Sequence, residues 1–304
     1  MKKILVAFLC LFCFGFAAET VEIEGLNAKK EVVKVNVPLS PKRAAVADLA
    51  ALDTIDALGF GKSVVAVPKE QKIDYLAKYV DDKNVINIGT AKELDMEKLI
   101  ASEPDVIFIG GRMQERYDEL SKIAPVVFLE VDYEKGSFES IKKNIATIAK
   151  IYGVDHKADA TIKAYEDRLA AIKMKVGGKS AIIGLITSSS LHTLGNNKRC
   201  SLITTDAGFD NLAKDVGSTH GNESSFELLV KLNPEFIFIL DRDSAIAKPG
   251  AKMAQQIMDN ELVKKTAAYA NGKIFYLTPA PWYLSEGGIT ATGIMLGDIE
   301  KALK

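Results

Sequence analysis

One stretch of this chain is written twice. Residues 95–112, DMEKLIASEPDVIFIGGR, and residues 225–242, SFELLVKLNPEFIFILDR, lie 130 residues apart and are identical at seven of 18 positions. Ordinary composition would give about one identity by chance. Each copy carries an unbroken apolar run, VIFI or FIFI, and ends in an arginine. A run without polar alternation is what a strand buried on both faces requires. A chain that builds this unit twice has duplicated the lobe that contains it.

The surrounding pattern agrees. Residues 19–41 alternate around LNAKK and predict a β-hairpin. From about residue 43 short apolar runs alternate with helical periods, the rhythm of a parallel sheet covered by helices. SFESIKKNIATIAKIYG predicts a helix stopped at Gly153. Residues 156–177 predict one long helix, with Ala160, Ile162, Tyr165, Leu169, Ile172 and Met174 roughly on one face and GGKS as its stop. Beyond it the rhythm restarts, and SSS at 188–190 reads as the end of a strand. The expected fold class is therefore α/β: an N-terminal lobe over 19–155, a connecting helix, and a C-terminal lobe over 178–304. The cleft between two such lobes is the default ligand site.

Bulk properties remove several classes of function. A formal charge of −1 over 304 residues argues against a nucleic-acid partner. Residues 1–18 read as a signal peptide: Lys2 and Lys3 precede an apolar run of 13, and Gly15 and Ala17 suit cleavage. Phe12 stands before Cys13 where lipid attachment wants a small residue, so the mature protein is expected in the periplasm without a lipid anchor. Cys10 and Cys13 leave with the signal. Cys200 then remains alone and cannot form an internal disulfide. Its ordinary role is that of a small buried hydrophobe. No P-loop, G-x-S-x-G or dinucleotide fingerprint follows a strand, so no enzyme is expected.

The candidate site starts with the two duplicated arginines. Arg112 and Arg242 directly follow strands, and ligands of open α/β sheets bind beyond the strands' carboxyl ends. A guanidinium fork suits delocalised anionic oxygens. The bland alternative is a surface ion pair, such as Arg242 with Asp241 or Asp243. Arg199 lies in a Gly/Asn-rich loop after the first strand of the second lobe. His156 begins the connecting helix and reads as solvated. His192 reads as structural, whereas His220 sits in the small, polar loop VGSTHGNESS. Trp282 and Tyr283 occupy TPAPWYLSEGG, where aromatics usually pack back onto the body.

Taken together, the mature chain resembles the ABC-importer solute-binding proteins for ferric siderophores and cobalamin, with two Rossmann-like lobes on a rigid helix. Within them it is similar to the catecholate branch, the enterobactin- and petrobactin-type binding proteins. The resemblance implies that GGR, GNNKR and LDR place Arg112, Arg199 and Arg242 in the cleft. It implies that STHG and PWYL supply His220 and Tyr283 as ligands to the cargo's iron. Trp282 would add an apolar wall or pack in the core. Branch members can place a lysine after the first arginine, where this chain has MQER, and Arg116 could stand in for it.

The implied chemistry is consistent. Fe(III) is a hard cation that favours anionic oxygen and tolerates imidazole. Two catecholates leave iron with two open positions and the complex with one negative charge. The cargo would be the Fe(III)-siderophore, with no permanent cofactor and no nucleic acid. The partner would be an ABC permease dimer with its ATPase, and the binding protein itself a monomer. Glu97 and Glu227 occupy equivalent places in the repeat, each two residues after a cap candidate, Asp95 or Ser225. A first-turn glutamate favours the helix dipole, and the resemblance implies that these two meet permease arginines. The alternative cargoes are a ferric hydroxamate, haem or cobalamin. Three scattered histidines fit a bare zinc or manganese site badly.

Overall fold

The computed structural model describes residues 19–71, 73–134, 136–214, 221–223 and 226–304. The leader, His220 and Ser225 lie outside that set. Strands β1 (Thr20–Leu26) and β2 (Val32–Pro38) form the expected antiparallel hairpin, which packs on the helix Ser137–Tyr152. That helix stops at Gly153, whose φ of 68° supplies the left-handed cap.

In the first lobe β3 (Ala44–Val46), β4 (Val64–Val67), β5 (Ile86–Asn87), β6 (Val106–Ile109) and β7 (Val126–Phe128) form an all-parallel sheet. Its order is β5-β4-β3-β6-β7. The direction of winding reverses between β3 and β6, and a crevice opens beyond their carboxyl ends. In the second lobe β8 (Ser180–Thr187), β9 (Ser190–Thr193), β10 (Asp210–Asn211), β11 (Asn222–Glu223), β12 (Phe236–Asp241) and β13 (Ile274–Tyr276) make a mixed sheet. Its order is β11-β9-β8-β12-β13, with β10 beside β8. The fold class is thus the α/β, two-lobed one expected.

The duplication extends to the backbone. β6 and β12 are both interior strands of their sheets. The helices before them, Met96–Ala101 and Phe226–Leu232, end alike: Glu103 and Asn233 both adopt φ 43°. Next, Asp105 accepts from the backbone N–H of Lys42 at 2.8 Å, and Glu235 accepts from that of Ser180 at 2.9 Å. Each carboxylate pins the entry of the neighbouring strand, β3 or β8.

Two expectations need correction. The serines at 188–190 do not end the strand region. Ser188 and Ser189, at φ 50° and 64°, make a two-residue turn into antiparallel β9. Such a turn normally advertises itself with Asn or Gly, which is why it was not legible. The connecting helix, Asp155–Val176, turns a different stripe inward. Ala158, Ile162, Tyr165, Leu169, Ile172 and Val176 alternate at spacings of three and four, while Ala160 is exposed and Met174 is 80% exposed. The C-terminal helix Ile289–Ala302 reaches out of its own lobe. It packs on the helix Leu49–Ala57 of the first lobe and on the connecting helix.

That crossing joins the lobes. Leu52 and Ile55 belong to the same buried apolar cluster as Met295, Leu296 and Ile299. Asp53, at the centre of the contact, accepts from the backbone N–H groups of Thr290 at 3.1 Å and Ala291 at 2.8 Å. The helix therefore receives its N-terminal cap from the other lobe. Gly288 is required at its start, because a Cβ there would collide with the Asp53 carboxylate. Burial pushes the Asp53 carboxyl up to about 6.

Candidate functional site: the interlobe cleft

A cleft of about 300 Å³ lies where the two sheets' carboxyl ends face each other. The first lobe contributes Ala47–Ala51, Gly110–Met113 and Leu129–Val131, and the second Arg199, Tyr283, Leu284, Glu286 and Gly287. The GGR sequence has a geometric reason. Any side chain at Gly110 would strike Asp48, and any at Gly111 would strike Glu130. Two glycines therefore let the carboxylates close against the backbone, and Arg112 emerges just beyond them into the cleft, exposed. Asp48 caps the helix Leu49–Ala57 through the Ala51 N–H at 2.8 Å. Burial raises its pKa, opposed by the Ala51 N–H and by the positive charge of Arg112. Glu130 is paired with Lys30 at 2.7 Å.

On the opposite wall Tyr283 is held between two guanidinium groups. The Arg242 Nε donates to its phenol oxygen at 2.7 Å. Arg199 stacks on the ring, its guanidinium carbon 4.5 Å from the centroid, and the Arg242 carbon lies at 5.5 Å. Both distances are in cation–π range. Arg242 is further braced by Thr187 at the end of β8, at 3.2 Å, and by Asp243 at 3.3 Å. The ion pair is present, and Arg242 is not itself among the residues lining the cleft; it meets that lining through Tyr283. Arg199 shares one nitrogen among the carbonyls of Trp282 and Tyr283, at 3.1 and 3.2 Å, and the Glu286 carboxylate, at 3.3 Å.

Trp282 does not line this cleft. It is fully buried, and its Nε1–H donates to Asp298 at 3.0 Å. Asp298 also accepts from the backbone N–H of Thr278 at 2.8 Å, so the turn Pro279–Tyr283 hangs from one carboxylate. Turning the indole inward leaves the next residue, Tyr283, facing the opening. Arg116 is likewise elsewhere, paired with Glu119 at 2.6 Å.

His220 lies outside the described residues, and its expected role as a ligand remains a proposal. His192 sits on β9 and His156 is exposed in the first turn of the connecting helix. Cys200 is buried, and burial raises its pKa well above that of an exposed thiol. Glu97 is exposed in the first turn of its helix, capped by Asp95, whose side chain accepts from the Lys98 N–H at 3.1 Å. Glu227 is exposed in the first turn of Phe226–Leu232.

Sequence reasoning missed two members of the site, Tyr133 and Glu286. The Tyr133 hydroxyl donates to Glu286 at 2.7 Å and links the first lobe to the Arg199 wall. SEGG offered no signal beyond a charged residue in a glycine-bounded turn.

The comparisons with known proteins fit this geometry. Residues 45–281 match the family model described as periplasmic binding protein. The petrobactin-binding protein YclQ of Bacillus subtilis is 32% identical over the whole of both chains. Its crystal structure superposes with a TM-score of 0.87, covering 94% of this chain and 99% of that one. The periplasmic catecholate-siderophore binding protein VctP of Vibrio cholerae superposes at 0.85 with 32% identity, covering 93% and 100%. The ferric-anguibactin-binding protein FatB of Vibrio anguillarum is 25% identical, over 86% of this chain and 82% of its own.

Proposed function

We propose that this chain, which belongs to the periplasmic binding protein family, captures a ferric catecholate siderophore outside the cytoplasm and hands it to an ABC permease. The observation that carries the reading is Tyr283 clamped between Arg199 and Arg242, facing a cleft that Arg112 enters from the other lobe. A phenol that coordinates Fe(III) acquires negative charge, and the Arg242 Nε–H meets that charge at 2.7 Å. His220 fills the second open iron position. The anionic catecholate oxygens fall to the guanidinium groups. The naming of YclQ for petrobactin and of VctP for catecholate siderophores supports the same class of cargo.

Residues 1–18 direct export and are removed, leaving an unlipidated, monomeric carrier. Glu97 and Glu227 face the permease, one from each lobe. The test of cargo is a fluorescence titration, for which Trp282 is a single intrinsic reporter. Ferric bis-catecholates should bind more tightly than neutral ferric hydroxamates of similar size. Equal or better binding of the hydroxamates sinks the reading.

A further inference from the structure

Glu286 is an unexpected component of a cleft for anions. Its side chain is 4% exposed and meets Arg199, itself only 13% exposed, at 3.3 Å. Burial raises the pKa of this carboxyl, and Arg199, then the Tyr133 hydroxyl, pull it back down. One of its oxygens takes both of those contacts, the backbone N–H of Cys200 adds a weaker pull in the same direction, and the Arg199 Nε is buried without a hydrogen-bond partner. A buried carboxylate so poorly solvated is costly, and the fold gains little from it that a neutral acceptor would not provide. Its distinctive property is its charge.

We infer that Glu286 is a specificity-determining residue that sets how much negative charge the cleft accepts, favouring ferric bis-catecholates over the more highly charged tris-catecholates. The other cleft carboxylates are committed elsewhere: Asp48 caps a helix and Glu130 pairs with Lys30. Among the carboxylates that line the cleft, Glu286 alone is set directly against one of the cation–π arginines that hold Tyr283; Asp243, which pairs with Arg242, is not part of that lining. In that position it cancels part of the attraction Arg199 would offer. It also repels the cargo in proportion to the cargo's own charge, which is one negative unit for a ferric bis-catecholate and three for a tris-catecholate. Charge in a site shielded from solvent is weakly screened, so the difference is large. The inference rests on the ferric-catecholate reading above and adds to it a preference by charge.

The test compares Kd values of the mature protein for one synthetic ferric bis-catecholate and one ferric tris-catecholate. Glu286→Gln keeps an acceptor for Tyr133 and Arg199 and removes the charge. It should tighten the tris-catecholate at least about tenfold more than the bis-catecholate. A merely structural role moves both affinities by the same factor, and an unchanged ratio overturns the inference. Glu286→Ala removes the same charge and should shift the ratio in the same direction. If Glu286→Gln does not fold, an unchanged ratio in Glu286→Ala overturns the inference instead. Failure of the wild type to bind either complex would sink the catecholate reading itself, and the inference with it.

Discussion

The Arg242 Nε and the Tyr283 phenol oxygen are 2.7 Å apart, a cation set directly on the phenol oxygen of a ring whose face Arg199 covers. The pair comes from different elements, the end of β12 and the turn Pro279–Tyr283, so its alignment is a product of the tertiary fold.

If Tyr283 ligates iron, Tyr283→Phe should weaken a tetradentate ferric bis-catecholate by at least about tenfold, the scale of one lost strong contact. A hexadentate complex, whose iron is already saturated, should change far less. The charge-transfer absorption of the bound bis-catecholate should move to longer wavelength in the variant, because losing an anionic donor makes Fe(III) the better electron acceptor. Equal losses for the two complexes rule out direct coordination.

Arg112→Gln and Arg242→Gln act on the cargo's charge instead of on its iron. Both complexes should lose affinity, the tris-catecholate more, and the losses should shrink in high salt for the exposed Arg112. An Arg112→Gln protein that binds both cargoes normally would remove this residue from the site.

Asp53 makes a prediction about pH. Its carboxyl is raised by burial to about 6, above the ordinary value of 3.8. The folded state therefore holds this proton more tightly than the unfolded state does. The stability contributed is fully present below 3.8 and is lost as pH rises through about 6. Asp53→Asn cannot titrate and retains an acceptor for the C-terminal helix. Relative to wild type, the variant should gain about 2–3 kcal/mol between pH 4 and pH 7.5, read from urea denaturation. A pH-independent difference would show that Asp53 is not the titrating group.

Replacing Glu97 and Glu227 together by alanine separates docking from helix chemistry. Loss of two first-turn carboxylates should cost about 1 kcal/mol of stability or less. Cargo binding should be intact and uptake by cells impaired. Normal uptake by a stably folded double variant would leave those residues with helix chemistry alone.

Much of this architecture was legible because it was written twice. The repeat located β6 and β12, the two arginines behind them and the cap at Asp95, all of which depend on local pattern. What escaped depends on distant partners. The β9 hairpin turns at serines that only the surrounding sheet holds at positive φ. Trp282 points inward because Asp298, 16 residues on, accepts its N–H. Met174 matched the apolar pattern but lies just off the stripe that continues through Ile172 and Val176. Glu286 was unreadable, since nothing local predicts that a turn glutamate will be buried against Arg199 and Tyr133.

The C-terminal helix also has a consequence in time. A ribosome delivers Leu49–Ala57 long before Ile289–Ala302, yet the second covers the first and draws its cap from Asp53. The nascent first lobe therefore emerges with an apolar face and a carboxylate awaiting partners made much later. Domains generally fold as units as they are synthesised, but here the lobe made first is completed by a helix that lies far along the chain. Removing that helix should leave an incompletely covered first lobe, with the marks of premature termination: exposed apolar surface, protease sensitivity and association between incomplete chains.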